Sequence, residues 1–352
     1  MIILDGSHGE GGGQIIRTAL ALSTITGKPF EIDNIRKGRC VSGLKHEHLS
    51  CIKALQDMCD AKVEGAELGS HKISFVPGKI KKGTYSIDIG TAGSITLLMQ
   101  SLMIPSFFAN GKVRFRIKGG TDVKWSQPVD YFNHVFLPHL RKYAEIDSKI
   151  EKRGYYPKGG GMVDISIKPK KDYSLNNKDI PKIELIEQGK LIQIKGISHA
   201  SIDLEKGQVA ERQASSSKMM LAKLNVPINI EKQYQETLST GSGITLFAMF
   251  SLNDEFEYEK PIIIGSDSLG DRGKRAEEVG KEAAERLMNE IGYLAPVDEY
   301  LADNLVPFLG LFGGKIKAAK ISNHCVANIY VIEKFLDKKF EINNEQKTIS
   351  VE

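Results

Sequence analysis

A chain of 352 residues, 41% hydrophobic and 26% charged, has room for two domains or one large domain with an insertion, and its composition excludes a disordered or membrane-embedded protein. The one notable apolar stretch, residues 95–109, is broken by Gln100 and Pro105 and is too short to span a bilayer, and the N-terminus lacks the basic region and cleavage site of a signal peptide, so a cytoplasmic protein with no membrane partner is expected. A net charge of +4 permits a nucleic-acid partner without demanding one, and four cysteines with no CxxC pair exclude a zinc ribbon or a thioredoxin-like motif and leave free thiols as the default.

Apolar periodicity predicts a strand over 1–4, a helix over 12–26 and a strand over 30–35. A second helix over 44–58 follows, then strands over 62–67 and 72–75 with a turn at Gly69-Ser70. This is a βαβαββ unit. The order recurs as strand 85–89, helix 92–108, strand 113–117, helix 129–143 and strands 147–152 and 162–167, a repeat of about 80 residues. A third copy ends the chain as helix 299–312, strand 315–321, helix 325–336 and strands 339–342 and 347–351, with its first strand upstream at 182–187. The residues between carry their own pattern: strand 191–197, helix 209–224, strands 228–234, 243–250 and 262–265, and a charged helix 274–291. The expected fold is therefore α/β (α+β). Three βαβαββ repeats over 1–184 and 294–352 form a core, and a smaller α/β domain over 185–293 is inserted in the third repeat.

Between the first strand and the first helix runs Gly9-Glu10-Gly11-Gly12-Gly13-Gln14-Ile15-Ile16-Arg17. Glycines there let backbone N–H groups approach a ligand, and a helix N-terminus favours an anion. The run lacks the GK[ST] of a P-loop and the GxGxxG spacing of a dinucleotide fold. Arg36, Lys37 and Arg39 place cations at the end of the third element; with Arg17 on the same sheet edge they would suit a terminal phosphate, although a solvated basic face is the commoner meaning of such a run. Of the histidines, His8, His71 and His199 fall in predicted turns, and His134 and His139 lie on a helix. His48 opens a helix in the basic region, and His324 sits at a strand-to-helix junction in Ser322-Asn323-His324-Cys325. A neutral imidazole can attack phosphorus near neutral pH. Cys40, His46, His48 and Cys51 could be imagined as a zinc site, but their spacing fits no standard finger.

Asp5-Gly6 with the glycine run, residues 35–39, Lys118-Gly119-Gly120-Thr121-Asp122, Arg153-Gly154-Tyr155-Tyr156-Pro157-Lys158-Gly159-Gly160-Gly161, Tyr300-Leu301-Ala302-Asp303 and Ser322-Asn323-His324 together resemble the RNA 3'-terminal phosphate cyclase family over essentially the whole chain. The resemblance implies a core of three βαβαββ units similar to the C-terminal domain of translation initiation factor three. It also implies an ATP-dependent reaction in which His324 is adenylylated, AMP passes to an RNA 3'-phosphate, and the 2'-hydroxyl closes a 2',3'-cyclic phosphate. Gln100, Pro128, Tyr300, Leu301, Ala302, Asp303 and Asn304 match the family's ATP pocket, with Asn304 standing where the family more often has glutamine. Glu10 matches the carboxylate that binds Mg²⁺ or Mn²⁺. Gln14, Arg17, Arg36, Arg39 and His48 match positions around the phosphates of AMP and the RNA end.

The rivals are a non-catalytic cyclase-like protein of ribosome biogenesis, which His324 argues against, and an enolpyruvyl transferase, which also uses βαβαββ units but has no use for ATP or a late histidine. A plain RNA-binding module would show clustered aromatic platforms, and the 7% of aromatic residues form no such motif. The partners implied are ATP and RNA bearing a 3'-phosphate, and the sequence leaves a homo-oligomer open.

Overall fold

Residues 1–175, 179–253 and 255–352 are described here, from a computed structural model of the chain. In the first unit β1 (Ile2–Asp5) pairs in parallel with β2 (Phe30–Asp33), and α1 (Gln14–Thr26) makes the crossover. The helix α2 (His46–Cys59) then leads to β3 (Lys62–Glu64) and β4 (Ile73–Val76), giving the order β1-β2-β4-β3. Alternation in β2 turns Phe30 and Ile32 into the core, and Phe30 sits opposite the equally buried Phe75. The apolar residues Ile15, Ile16, Ala19, Leu20 and Leu22 bury α1 almost all round, at about 1.5–3 kcal/mol for each large side chain. The helix stops at Gly27, whose φ of 68° lets its N–H donate back to Ser23 O.

The second unit comprises β5 (Gly83–Asp88), α3 (Ile95–Phe107), β6 (Val113–Gly119), α4 (Val129–Tyr131), a π-helical turn Phe132–Phe136, α5 (Leu137–Leu140), β7 (Ala144–Lys152) and β8 (Gly161–Pro169), in the order β5-β6-β8-β7. The single helix predicted over 129–143 is therefore interrupted. Pro138 has no N–H and crowds the carbonyl four residues back, and the wide turn, where the Leu137 N–H donates to Phe132 O, accommodates it.

After β9 (Ile183–Leu185) come β10 (Lys190–Ser201), α6 (Val209–Leu221), β11 (Ile228–Gln235), β12 (Ser242–Ser251), β13 (Ile262–Leu269) and α7 (Ala276–Gly292), with the distinct order β11-β10-β12-β13. The chain closes with α8 (Glu299–Phe312), β14 (Gly314–Lys317), α9 (Asn323–Phe335), β15 (Phe340–Asn343) and β16 (Thr348–Val351), and β9 returns to pair in parallel with β14 in the order β15-β16-β14-β9. Three sheets thus share one strand order, and α1 packs against both α3 and α9 at their common centre. The strand predicted over 315–321 ends at Lys317, because the next N–H groups leave the ladder: Ala318 donates to Lys347 O and Ala319 to Val297 O. His199, predicted in a turn, lies inside β10 opposite Gly243 and is buried. No helix among the described residues is long and apolar enough to cross a membrane.

Candidate functional site

The glycine run is placed by what passes over it. A Cβ on Gly13 would collide with His48 Nε2 and lie 2.8 Å from Arg17 Nη1, and one on Gly12 would collide with the Gln14 amide and lie 3.3 Å from Arg39 Nη2. Only a backbone without side chains lets these groups crowd the start of α1, which carries no side-chain cap and no acid in its first turn.

Glu10 is the node of one side of the cleft. Its Oε2 accepts from Arg39 Nη2 at 2.9 Å, its Oε1 accepts from Asn323 Nδ2 at 3.3 Å, and His324 Nε2 stands 3.8 Å from Oε2. Burial works to raise the Glu10 pKa, but His324, Asn323 and Arg39 outweigh it and hold the carboxyl below its ordinary range. His324 is presented by the first turn of α9, where Ser322 caps the helix by accepting from the Cys325 N–H at 3.0 Å; the imidazole side chain keeps 43% of its surface exposed. The same Ser322 hydroxyl donates to Asp303 Oδ1, which also accepts from Cys325 Sγ at 3.1 Å. Burial pushes the Asp303 carboxyl up to about 6, against the pull of Ser322, Cys325 and His324. Asn328 Nδ2 donates to the Asp303 carbonyl and its Oδ1 accepts from Thr18, so α8, α9 and α1 are pinned together directly beneath the histidine turn.

The other side is a chain of amides. Arg17 Nε donates to Gln100 Oε1 at 3.0 Å, Gln100 Nε2 donates to Asn304 Oδ1 at 3.0 Å, and Asn304 Nδ2 donates to Tyr300 O at 2.8 Å. Tyr300 meets Tyr131 edge-on at 6.4 Å, on the short helix that Pro128 caps. Arg17, Gln100, Asn304 and Tyr300 are therefore joined in one hydrogen-bonded chain, and Pro128 precedes the helix that reaches Tyr300. Leu301 and Ala302 stand apart from it, their side chains filling the core. Arg17 Nη1 is also paired with Glu47 at 3.1 Å, and burial raises the Glu47 pKa despite Arg17 and Arg36.

Arg36 turns back on its own loop, donating to Val41 O at 2.7 Å. Burial lowers its pKa and the nearby Arg39 and Arg17 add to the shift against the pull of Glu47, so the three guanidinium groups share one neighbourhood. His48 is buried, and its Nδ1 accepts from the Lys45 N–H at 3.0 Å. That bond places the proton of the neutral ring on Nε2, toward the glycine run. Burial, then Arg17, Arg36 and Lys45, push its pKa down to about 3. The Gln14 Nε2 is buried with no hydrogen-bond partner among the described residues, a donor left over beside the glycines. Sequence reasoning assigned no role to Asn323 or Glu47. Asn323 was visible in the Ser322-Asn323-His324 motif, whereas Glu47 carried no signal apart from its place between two histidines.

Among the described residues one grouping has metal-ligand spacing, Asp122, Asp130 and His199. It is already filled. Arg153 Nη1 lies 2.8 Å from Asp130 and 3.3 Å from Asp122, His199 Nε2 lies 3.1 Å from Asp122, and the Tyr155 hydroxyl meets His199 Nδ1 at 2.8 Å. A guanidinium occupies the place where a cation would sit. The Cys40, His46, His48, Cys51 set is split between an exposed Cys40 and a Cys51 buried within α2.

A family model for RNA 3'-terminal phosphate cyclase matches residues 8–342. The chain is 47% identical over 345 residues to the RNA 3'-terminal phosphate cyclase of Pyrococcus furiosus, covering 97% of this chain and 95% of the relative. It is 46% identical over 350 residues to that of Saccharolobus solfataricus, covering 98% and 97%, and 43% identical over 350 residues to that of Pyrococcus abyssi, covering 98% and 96%. With a match that runs from before the glycine loop to beyond the histidine turn, this chain belongs to the RNA 3'-terminal phosphate cyclase family.

Proposed function

We propose that this enzyme converts the 3'-terminal phosphate of RNA into a 2',3'-cyclic phosphate at the expense of ATP, with His324 as the nucleophile. The observation that carries the reading is the half-exposed His324 imidazole on the capped first turn of α9, 3.8 Å from the Glu10 carboxylate that Arg39 pairs with. In the first step His324 attacks the α-phosphorus of ATP, a P–N bond forms and pyrophosphate leaves. An oxygen of the RNA 3'-phosphate then takes the adenylyl group, freeing the histidine and creating an anhydride. The neighbouring 2'-hydroxyl attacks the 3'-phosphorus, the P–O bond to AMP breaks, and the hydroxyl proton is released. Closure within one nucleotide replaces a bimolecular encounter, and AMP is a far better leaving group than the oxide of a phosphate monoester.

The protein's part is charge placement and alignment. Arg39 and Arg17 flank the start of α1 and supply guanidinium forks for the phosphates, and the unpartnered Gln14 amide is a donor ready for an oxygen between them. Tyr300, Asn304, Gln100 and Pro128 line the adenosine end. Glu10, ionised and partly exposed, is the carboxylate suited to hold Mg²⁺ or Mn²⁺, which when bound would neutralise phosphate charge. The test is direct. RNA with a 3'-phosphate, incubated with enzyme, ATP and divalent metal, should become phosphatase-resistant with one AMP and one pyrophosphate released per end. An end that stays phosphatase-sensitive while ATP is demonstrably bound would refute the reading.

A further inference from the structure

Trp125 is the residue that folding explains least. It is the only tryptophan in the chain, it is 95% exposed, and its φ is 73°. A bulky side chain in the left-handed region pays a steric cost that glycine or asparagine avoids, and an indole in water forfeits the burial that usually makes tryptophan worth having. Both penalties fall on one residue. The loop around it is nonetheless fixed. The Val129 N–H donates to Thr121 O at 3.0 Å, Thr96 Oγ1 donates to Gln127 O at 2.8 Å, and Lys124 Nζ reaches Asp271 at 2.6 Å on the connection between β13 and α7. The flanks are pinned and the ring stands at the tip.

The tip is close to the cleft. Pro128 follows three residues later and caps the helix whose Tyr131 meets Tyr300, so Trp125 is within about 11 Å of chain from the adenosine end. A second exposed ring, Tyr156 at 75%, follows Tyr155, which is bridged to Asp122 on the tryptophan loop. Lys124 and Lys158 are exposed on these two loops, and Arg272 is exposed on the β13–α7 connection that Lys124 reaches. Two open rings among cations are the elements with which proteins hold single-stranded nucleic acid: the rings stack on bases of any sequence and the cations follow the backbone. A separation of 31 positions hides this pairing from the sequence.

We propose that Trp125, with Tyr156 on the adjoining loop, is a stacking platform for unpaired bases of the RNA whose 3'-phosphate enters the site. This rests on the proposed function. As the sole tryptophan, Trp125 reports on itself: a short single-stranded RNA with a 3'-phosphate should quench its emission in the absence of ATP. Trp125→Ala should weaken RNA binding about tenfold and raise the KM for RNA by a similar factor without a matching rise for ATP, and Trp125→Phe should recover most of the loss.

Several results would overturn the platform. A wild type that cyclises RNA yet shows no quenching, with Trp125→Ala losing nothing, would do so. Quenching by ATP alone would give the ring to adenine, and an emission shift with protein concentration alone would give it to a self-contact. A loss at Tyr258→Ala, an exposed ring between β12 and β13, with none at Trp125→Ala, would move the strand elsewhere. A wild type that quenches on RNA but never cyclises would sink the proposed function and leave the platform standing.

Discussion

At the candidate site, Arg39, Asn323 and His324 surround Glu10; where the ends of β6 and β7 meet β10, Arg153 and His199 surround Asp122 and Asp130. The residue types are nearly the same, and the surroundings are not. At the junction the side chains of Arg153, Asp122, Asp130 and His199 are at most 2% exposed, and Arg153 also donates to Gln233 on β11, so the charges are matched within the protein. Burial acts to raise Asp122, but His199, Arg153 and Thr121 hold it well below the usual carboxylate range. At the cleft, Arg39 and Glu10 keep 39% and 36% of their side-chain surface, and His324 stands at 3.8 Å, beyond hydrogen-bond reach. Closed charge holds one sheet against another, whereas open charge is left for a ligand.

The comparison breaks first at Arg153. Its removal leaves two buried carboxylates with only the His199 imidazole beside them, so Arg153→Ala should cost about 3–5 kcal/mol in chemical denaturation. Arg39→Ala, which opens an exposed pair, should cost less than about 1 kcal/mol. Equal losses for the two would remove the distinction between mount and cleft.

A further effect lies in pH. His48 has an ordinary value of 6.5 and a folded value near 3, so between these limits the unfolded chain binds the extra proton. Its contribution to stability is complete above pH 6.5 and is lost as pH falls toward 3, at about 1.4 kcal/mol per unit within the window. His48→Asn keeps an acceptor for the Lys45 N–H, so its stability should fall less steeply below pH 6.5 than the wild type's. His139, also pushed down to about 3 by burial, provides a common background in both proteins. Parallel curves would show that His48 is not held neutral by the fold.

Local pattern made much of the fold legible. Helix α8 occupies the residues expected of it, and the structure shows it closed at both ends: Asp298 accepts from the Leu301 N–H, and the Gly313 N–H donates to Leu309 O. The glycine run and the histidine turn stand out in the sequence because each is a continuous motif. What stayed hidden depends on contacts between distant segments. The bond from Asn323 to Glu10 spans 313 positions, and that from Arg17 to Gln100 spans 83. His199 was read as a turn residue because β10 continues four residues beyond its apolar run, held by pairing with β12 rather than by its own composition. Arg36 looked like its neighbours in a basic run, yet a φ of 56° turns its loop back so that the guanidinium meets Val41 O and Gly43 O.

The central claim is that His324 takes the adenylyl group before RNA arrives. Enzyme incubated with α-labelled ATP and divalent metal, without RNA, should retain label after denaturation, through a bond that is lost in acid and survives in base as a P–N bond to histidine does. His324→Ala should fold as the wild type does and carry no label, because the proposed nucleophile is gone. Label on the Ala protein, or a wild type that binds ATP and never labels, would contradict the account.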